Sequence, residues 1–280
     1  MDTIIGENIL DKLNKYLKDN SKDKLYIITD DMVNRLYIDG LKRILKDFSL
    51  IIYVLPSGER SKSIDTILSI YDNLIENNID RNTIILSFGG GVVGDIAGFV
   101  ASTYKRGLKY IQIPTTLLAQ VDSSIGGKVG IDYGGYKNII GSFYFPEMVL
   151  IDISFLNTLG HREITCGLGE ILKYGLIQDY SLFQFTRFNL NCIYKKDLEI
   201  ILPIIKRSIN IKQSIVLKDK HDLGLRKTLN FGHTIGHSIE AYYGFTKFNH
   251  GESIILGMIY ESYIGKELGL IDEGYFDEIV

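Results

Sequence analysis

Thr83-Ile-Ile-Leu-Ser-Phe-Gly89-Gly90-Gly91-Val92-Val-Gly94-Asp95 decides the fold class. A short, mainly apolar run of strand-forming residues passes directly into a glycine cluster, and the cluster opens a helix. Gly89, Gly91 and Gly94 have GxGxxG spacing. That spacing gives a tight turn and lets backbone N–H groups approach a phosphate at a helix N-terminus. The same residues would also serve a plain turn that packs a helix on a strand. Upstream lie the strand-like runs Lys24–Asp30 and Ser49–Leu55; downstream lie Tyr110–Pro114 and Met148–Asp152. None alternates strictly, as expected of strands covered on both faces. Between two of them Ile64, Ile67, Leu68, Tyr71, Leu74 and Ile75 recur with helical period. The βαβ pattern predicts an α/β N-terminal domain with a mostly parallel sheet over residues 1–154.

The dinucleotide fingerprint calls for an acid about 20 residues beyond the glycines. Here that region is Lys109-Tyr-Ile-Gln-Ile-Pro114, without an acid, and the glycines do not sit in the first βα unit. Asp30, closing the first strand-like run, is the better ribose partner. Glu59, Lys62, Thr115 and Thr116 also follow predicted strands, where ligands of open α/β sheets collect. Asp122 and Lys128 flank a glycine bend, and Lys137-Asn138 follows Tyr133-Gly-Gly-Tyr136. By themselves these two stretches have the composition of ordinary surface turns.

Beyond about residue 153 strand-like runs disappear. Segments near 162–176, 195–217, 228–243 and 251–268 have helical texture, so residues 155–280 are predicted to form an all-α C-terminal domain. A ligand would belong in the cleft between the two domains. Glu170 and Lys173 lie three apart on one helical face. They read either as a solvated ion pair worth about 0.2–0.5 kcal/mol or as a metal-ligating carboxylate beside an anion-binding lysine. Their apolar surroundings favour the second.

Arg226-Lys-Thr-Leu-Asn230-Phe-Gly-His233-Thr-Ile-Gly-His237, followed by Asn249-His250-Gly-Glu252, gathers three of the five histidines within 18 positions. His233 and His237 project from one helical face, so spacing alone names them as a ligand pair. Thr234 stands where HExxH has its glutamate, and a metalloprotease reading fails at the general base. Two histidines and a distant carboxylate remain a reasonable zinc set with an open position. Arg226 and Asn230 suit an anionic, hydroxyl-bearing ligand.

The bulk numbers narrow the class. Of 280 residues, 45% are hydrophobic and 23% charged, with a formal charge of −3; this is a globular composition without the basic excess of a nucleic-acid binder. Cys166 and Cys192 form no CxxC pair, which suits a reducing cytoplasm. The N-terminus has no signal-peptide pattern. No apolar run approaches the roughly 18–20 residues needed to span a membrane.

Taken together, Gly89–Phe99, Tyr104-Lys-Arg-Gly107, Pro114–Lys128, Lys137-Asn138, Gly169-Glu170-Ile-Leu-Lys173, Gly224-Leu-Arg226 and the histidine segment resemble the 3-dehydroquinate synthase family of sugar phosphate cyclases, from the first strand to about residue 268. The resemblance implies a Rossmann-like NAD domain and a helical metal domain, with the active site between them. It implies zinc or cobalt on Glu170, His233 and His250, with His237 turned to the substrate instead. Asp122, Lys128, Lys173, Lys212, Arg226 and Asn230 would hold the substrate, and Arg106 would reach a phosphate across a homodimer interface. NAD would be held by Asp30, Glu59, Lys62, Gly89, Gly90, Gly91, Val92, Asp95, Thr115, Thr116, Lys137, Asn138 and Thr158. The implied chemistry is that of a cytoplasmic lyase of the shikimate pathway of aromatic amino acid biosynthesis. Its substrate, 3-deoxy-D-arabino-heptulosonate 7-phosphate, is oxidised at C5, loses phosphate, is reduced again and closes by an aldol step to 3-dehydroquinate. NAD is not consumed, and the departing phosphate assists proton removal.

Three alternatives accompany this reading: a cyclase making valiolone- or inosose-type rings, a metal-dependent polyol dehydrogenase that releases NADH, and an inactive remnant acting as a binding protein. The last is motivated by the end of the chain at Val280. Family members continue through further helices, including a lysine-bearing segment that contacts substrate, so the C-terminal domain is expected to be incomplete and its closure over substrate impaired. His161 and His221 are expected to be solvated surface residues.

Overall fold

The computed structural model describes residues 2–20, 24–219, 222–244 and 246–280; His221 lies outside the described residues. The chain divides into two compact units, Met1–Thr158 and Leu159–Val280. The division falls four residues later than the 154/155 boundary expected from sequence, because the short helical turn Ile153–Thr158 stays with the first unit.

The first unit runs β1 (Asp2–Gly6), α1 (Leu10–Asn20), β2 (Lys24–Asp30), α2 (Asp31–Ile44), β3 (Ser49–Leu55), α3 (Ile64–Glu76), β4 (Ile84–Gly89), α4 (Gly91–Thr103), β5 (Tyr110–Pro114), β6 (Lys128–Tyr133), β7 (Tyr136–Phe143) and β8 (Met148–Asp152). Six strands form one parallel sheet in the order β1-β8-β5-β4-β2-β3. Its strands are apolar on both faces, and two hydrophobic cores follow. On one face Leu13, Leu17, Val33 and Leu41 of α1 and α2 pack on Ile27, Leu86 and Ile113. On the other, Ile67, Ile70, Ile96 and Val100 of α3 and α4 pack on Tyr26, Ile28 and Ile85.

Two elements differ from the sequence reading. Asp30 closes the second strand, not the first, because β1 precedes it at the sheet edge. β6 and β7 form a separate antiparallel hairpin where only a glycine turn was expected. Gly134 and Gly135, with φ of 60° and 85°, make its two-residue loop; positive φ at both positions matches the twist of the flanking strands. The chain moves from β2 outward to β3 and returns to β4 on the other side of β2. The C-terminal ends of β2 and β4 therefore flank the point where strand order reverses, the usual ligand crevice of such sheets.

The second unit is helical: α5 (His161–Gln178), α6 (Tyr180–Phe188), α7 (Leu190–Tyr194), α8 (Leu198–Lys218), α9 (His233–Tyr242), α10 (His250–Glu267) and α11 (Glu273–Ile279). α5 is central and packs on α6, α8 and α10, while α9 packs on α10. Among the described residues no helix is long and apolar enough to cross a membrane. Both cysteines are free thiols.

Candidate metal centre and ligand sites

Three helices of the second unit meet at glycines, and their closeness builds the metal candidate. A Cβ on Gly251 would lie 2.2 Å from the carbonyl oxygen of Cys166, and one on Gly169 would lie 2.8 Å from Cα of Gly251. On the other side of α10, a Cβ on Gly257 would lie 1.9 Å from the carbonyl oxygen of Gly232. Backbones at these points touch directly, which only glycine permits. Each contact sits beside a chemically active neighbour: Gly169 beside Glu170, Gly251 beside His250, Gly232 beside His233. Two devices fix the helix starts. Asn249 and Glu252 form a capping box at α10, and Arg162 clamps Glu252 with bonds of 2.9 and 2.6 Å. Gly232, in the left-handed region at φ 79°, turns the chain into α9.

Glu170, His233 and His250 converge. Oε1 of Glu170 is 3.0 Å from Nε2 of His250 and 3.4 Å from Nε2 of His233. One ligand atom from each lies within 4.8 Å of the others. Glu170 is 1% exposed and Lys173, which donates to Oε2, is 2% exposed. The solvated ion pair considered from sequence is thus a buried one. Burial alone would raise the Glu170 pKa, but Lys173 and the two imidazoles override it and hold the carboxyl well below the usual carboxylate range. A buried, ionised carboxylate facing two imidazole nitrogens fits a divalent cation with positions left open for a ligand.

His237 behaves differently from the spacing-based pairing. It shares a helical face with His233, with ring centroids 5.2 Å apart, but it is exposed and falls outside the Glu170 group. It belongs instead to a second group with His250 and Glu240. Glu240 escaped the sequence reading; its signal was the i,i+3 spacing from His237 within a histidine-bearing helix.

Cations expected at a substrate cluster in the same unit. Lys173, Lys212 and Arg226 are buried at 2%, 6% and 3% exposure, on α5, on α8 and on the short turn Leu225–Asn230, and these elements pack on one another. Asn230 is exposed at the end of that turn. Asp219, also unforeseen, organises the loop carrying Arg226. Its carboxylate accepts the backbone N–H of Arg226, Leu223 and Gly224 at 3.0, 3.0 and 2.7 Å, which lowers its pKa to about 2. His161 stacks on Tyr194 with centroids 3.9 Å apart, so it has a packing partner beyond simple solvation.

In the first unit the nucleotide candidates gather at the strand ends. Gly90 caps α4, and a Cβ on Gly91 would approach Ser123 Oγ to 3.0 Å. A small recess beneath the loop is lined by Ser87, Gln112, Ser123 and Ser124. Gln112 Oε1, Thr115 Oγ1 and Ser124 Oγ are buried without a hydrogen-bond partner among the described residues; such atoms are uncommon unless a ligand or water serves them. Asp30 caps α2 through Val33 N at 2.9 Å. Lys62, 4% exposed, reaches Asp95 at 2.5 Å and also donates to Asn138. Glu59 lies exposed on the turn Glu59–Ser61, Val92 is partly exposed in the first turn of α4, and Lys137 is partly exposed on β7. Thr116 Oγ1 accepts from Ala119 N at 3.2 Å, starting the π turn Ala119–Ser123 that carries Asp122. Lys128 is exposed at the start of β6. Thr158 is bonded to Tyr37 at the end of the unit. Arg106 is exposed at φ 67° beside Lys105 at φ 47°. Two successive non-glycine residues in the left-handed region are strained, and such strain collects at functional positions.

Comparison with known proteins identifies the family. The family model for the 3-dehydroquinate synthase N-terminal region matches residues 52–166, and that for the C-terminal region matches residues 167–280. The chain is 46% identical over 275 residues to 3-dehydroquinate synthase of Alkaliphilus metalliredigens, a match spanning 98% of this chain and 77% of that protein. Its fold is similar to 2-epi-5-epi-valiolone synthase of Streptomyces hygroscopicus solved with NAD+ and Zn2+, with a TM-score of 0.92 and 28% identity over 99% of this chain and 78% of that one. It is also similar to 2-deoxy-scyllo-inosose synthase solved with carbaglucose-6-phosphate, NAD+ and Co2+, with a TM-score of 0.90 and 29% identity over 99% and 76%. The chain belongs to the 3-dehydroquinate synthase family.

Proposed function

We propose that this protein is a lyase that converts 3-deoxy-D-arabino-heptulosonate 7-phosphate to 3-dehydroquinate and phosphate. The carrying observation is the Glu170–His233–His250 group, whose carboxylate is buried against Lys173, in the same unit as the buried cations Lys212 and Arg226. When bound, NAD+ supplies a reversible hydride acceptor and the divalent cation supplies a Lewis acid at the reacting oxygens. Glu170, His233 and His250 hold that cation. The glycine loop Gly89–Val92, opening α4, would hold the dinucleotide together with Asp30, Glu59, Lys62, Asp95, Thr115, Thr116, Lys137, Asn138 and Thr158.

The remaining residues bind and orient. Lys173, Lys212 and Arg226 fix the carboxylate and phosphate of an anionic sugar acid, and their burial strengthens each contact relative to water. Asn230 and His237 hold hydroxyl oxygens; Asp122 and Lys128 are the substrate-binding candidates of the first unit. Arg106 serves the phosphate of a second copy in a homodimer. Precise orientation of the chain matters because elimination and ring closure involve different atoms of one flexible substrate.

Identity near 46% to 3-dehydroquinate synthases against 28–29% to the valiolone and inosose cyclases favours the dehydroquinate product. The test is substrate choice. The protein is given the heptulosonate phosphate or a hexose 6-phosphate, and the product ring is identified by NMR. Turnover of the hexose phosphate in preference would reject the assignment.

A further inference from the structure

His250 lies between two carboxylates. Its Nε2 faces Oε1 of Glu170 at 3.0 Å, and its Nδ1 faces Oε2 of Glu240 at 3.8 Å. Glu240 is on α9, three residues beyond His237, and is 4% exposed. A buried carboxylate is costly unless a cation or donor compensates it. Nε2 points into the Glu170–His233 group, so it is the nitrogen a cation would take. An imidazole that ligates through one nitrogen keeps its proton on the other, and the group accepting that proton sets the ring's orientation and basicity. We propose that Glu240 is a positioning residue for the metal centre, accepting the Nδ1–H of His250 and so fixing the tautomer and ring plane that aim Nε2. The 3.8 Å separation is longer than a direct hydrogen bond, so the proposed contact requires a small ring rotation or a bridging water. The inference rests on the metal reading above. A competing role is visible in the same atoms: His237, Glu240 and His250 could themselves take a second cation.

The test is Co2+ titration of the full chain against a competing chelator, with the visible spectrum recorded, for wild type, Glu240→Gln, Glu240→Asp and His233→Ala. The expected result is one equivalent bound by wild type. Folded Glu240→Gln should still bind one, with affinity weaker by about 10–100-fold and a shifted cobalt band. Glu240→Asp keeps the charge and should recover part of the loss, and it carries the test if the Gln variant fails to fold. Unchanged affinity and spectrum in a folded Glu240 variant would overturn the proposal. So would two equivalents in wild type with one lost in the variant. If His233→Ala also bound cobalt like wild type, the metal reading itself would be at fault rather than the role of Glu240.

Discussion

Gly251→Ala probes the packing that builds the site. The added Cβ would sit 2.2 Å from the carbonyl oxygen of Cys166 and 2.5 Å from its Cα. These are backbone atoms of α5, so no side-chain rotation relieves the clash. Ordinary contact begins at about 3.5 Å, so α10 must retreat from α5 by roughly 1 Å. Overpacking of this kind costs about 1–3 kcal/mol, and the rigid backbone places it toward the upper end. Metal distances tolerate only about 0.2 Å, so His250 would leave the reach it shares with Glu170. Urea denaturation should show a lower midpoint with unchanged slope. Zinc competition should show affinity reduced at least about tenfold, or about 1.4 kcal/mol. Gly40→Ala is the control: a Cβ in α2 would meet nothing within 4 Å, and helix propensity predicts a gain of up to about 1 kcal/mol. A Gly251→Ala protein with wild-type stability and zinc affinity would refute the packing account.

Other outcomes follow from the same contacts. His233→Ala should abolish zinc retention through gel filtration, whereas His237→Ala should retain zinc while losing turnover; equal metal loss in both would restore the spacing-based pair. In metal-free protein, burial opposes charge on His250, but its hydrogen bond to Glu170 and the nearby carboxylates of Glu170 and Glu240 win and raise its pKa from 6.5 to about 9. A raised folded pKa stabilises the fold fully below about pH 6.5, and that contribution is lost as pH rises through about 9. Denaturation of chelator-treated protein should therefore show falling stability across that window, while cation affinity climbs across it because proton and metal compete for the imidazole; flat profiles would contradict both. Lys62→Met leaves the carboxylate of Asp95 without its buried ammonium partner and should cost about 3 kcal/mol together with a weakened NAD titration. A loss of stability under about 1 kcal/mol would show the pair to be solvated.

Much of the fold was legible because its signals are local. β2, β3, β5 and β8 are apolar runs bounded by turn residues, and α3 keeps strict helical period. β1 was not, because five residues at the chain start pair only through the distant β8. The β6–β7 hairpin carried its turn signal in Gly134-Gly135, but glycines within the strands hid the alternation. The site divides the same way. His233 and His237 lie one helical turn apart, so spacing joined them. His250 opens another helix, and its meeting with Glu170, 80 positions earlier, depends on glycine contacts between α5 and α10 that no periodicity encodes. Within the sequence, only the family resemblance names that set. Glu240 and Asp219 act through neighbours in space or through backbone N–H groups, which a motif scan does not weigh.

Under the proposed function, metal and dinucleotide serve a phosphate elimination with no net redox change. The direct measurement follows phosphate release and NADH absorbance together, with the heptulosonate phosphate, NAD+ and zinc or cobalt, with and without chelator. The expected result is chelator-sensitive phosphate release, many turnovers per NAD+, and no accumulation of NADH. NADH accumulating in step with product, or no phosphate release from a metal- and NAD-replete sample, would contradict it.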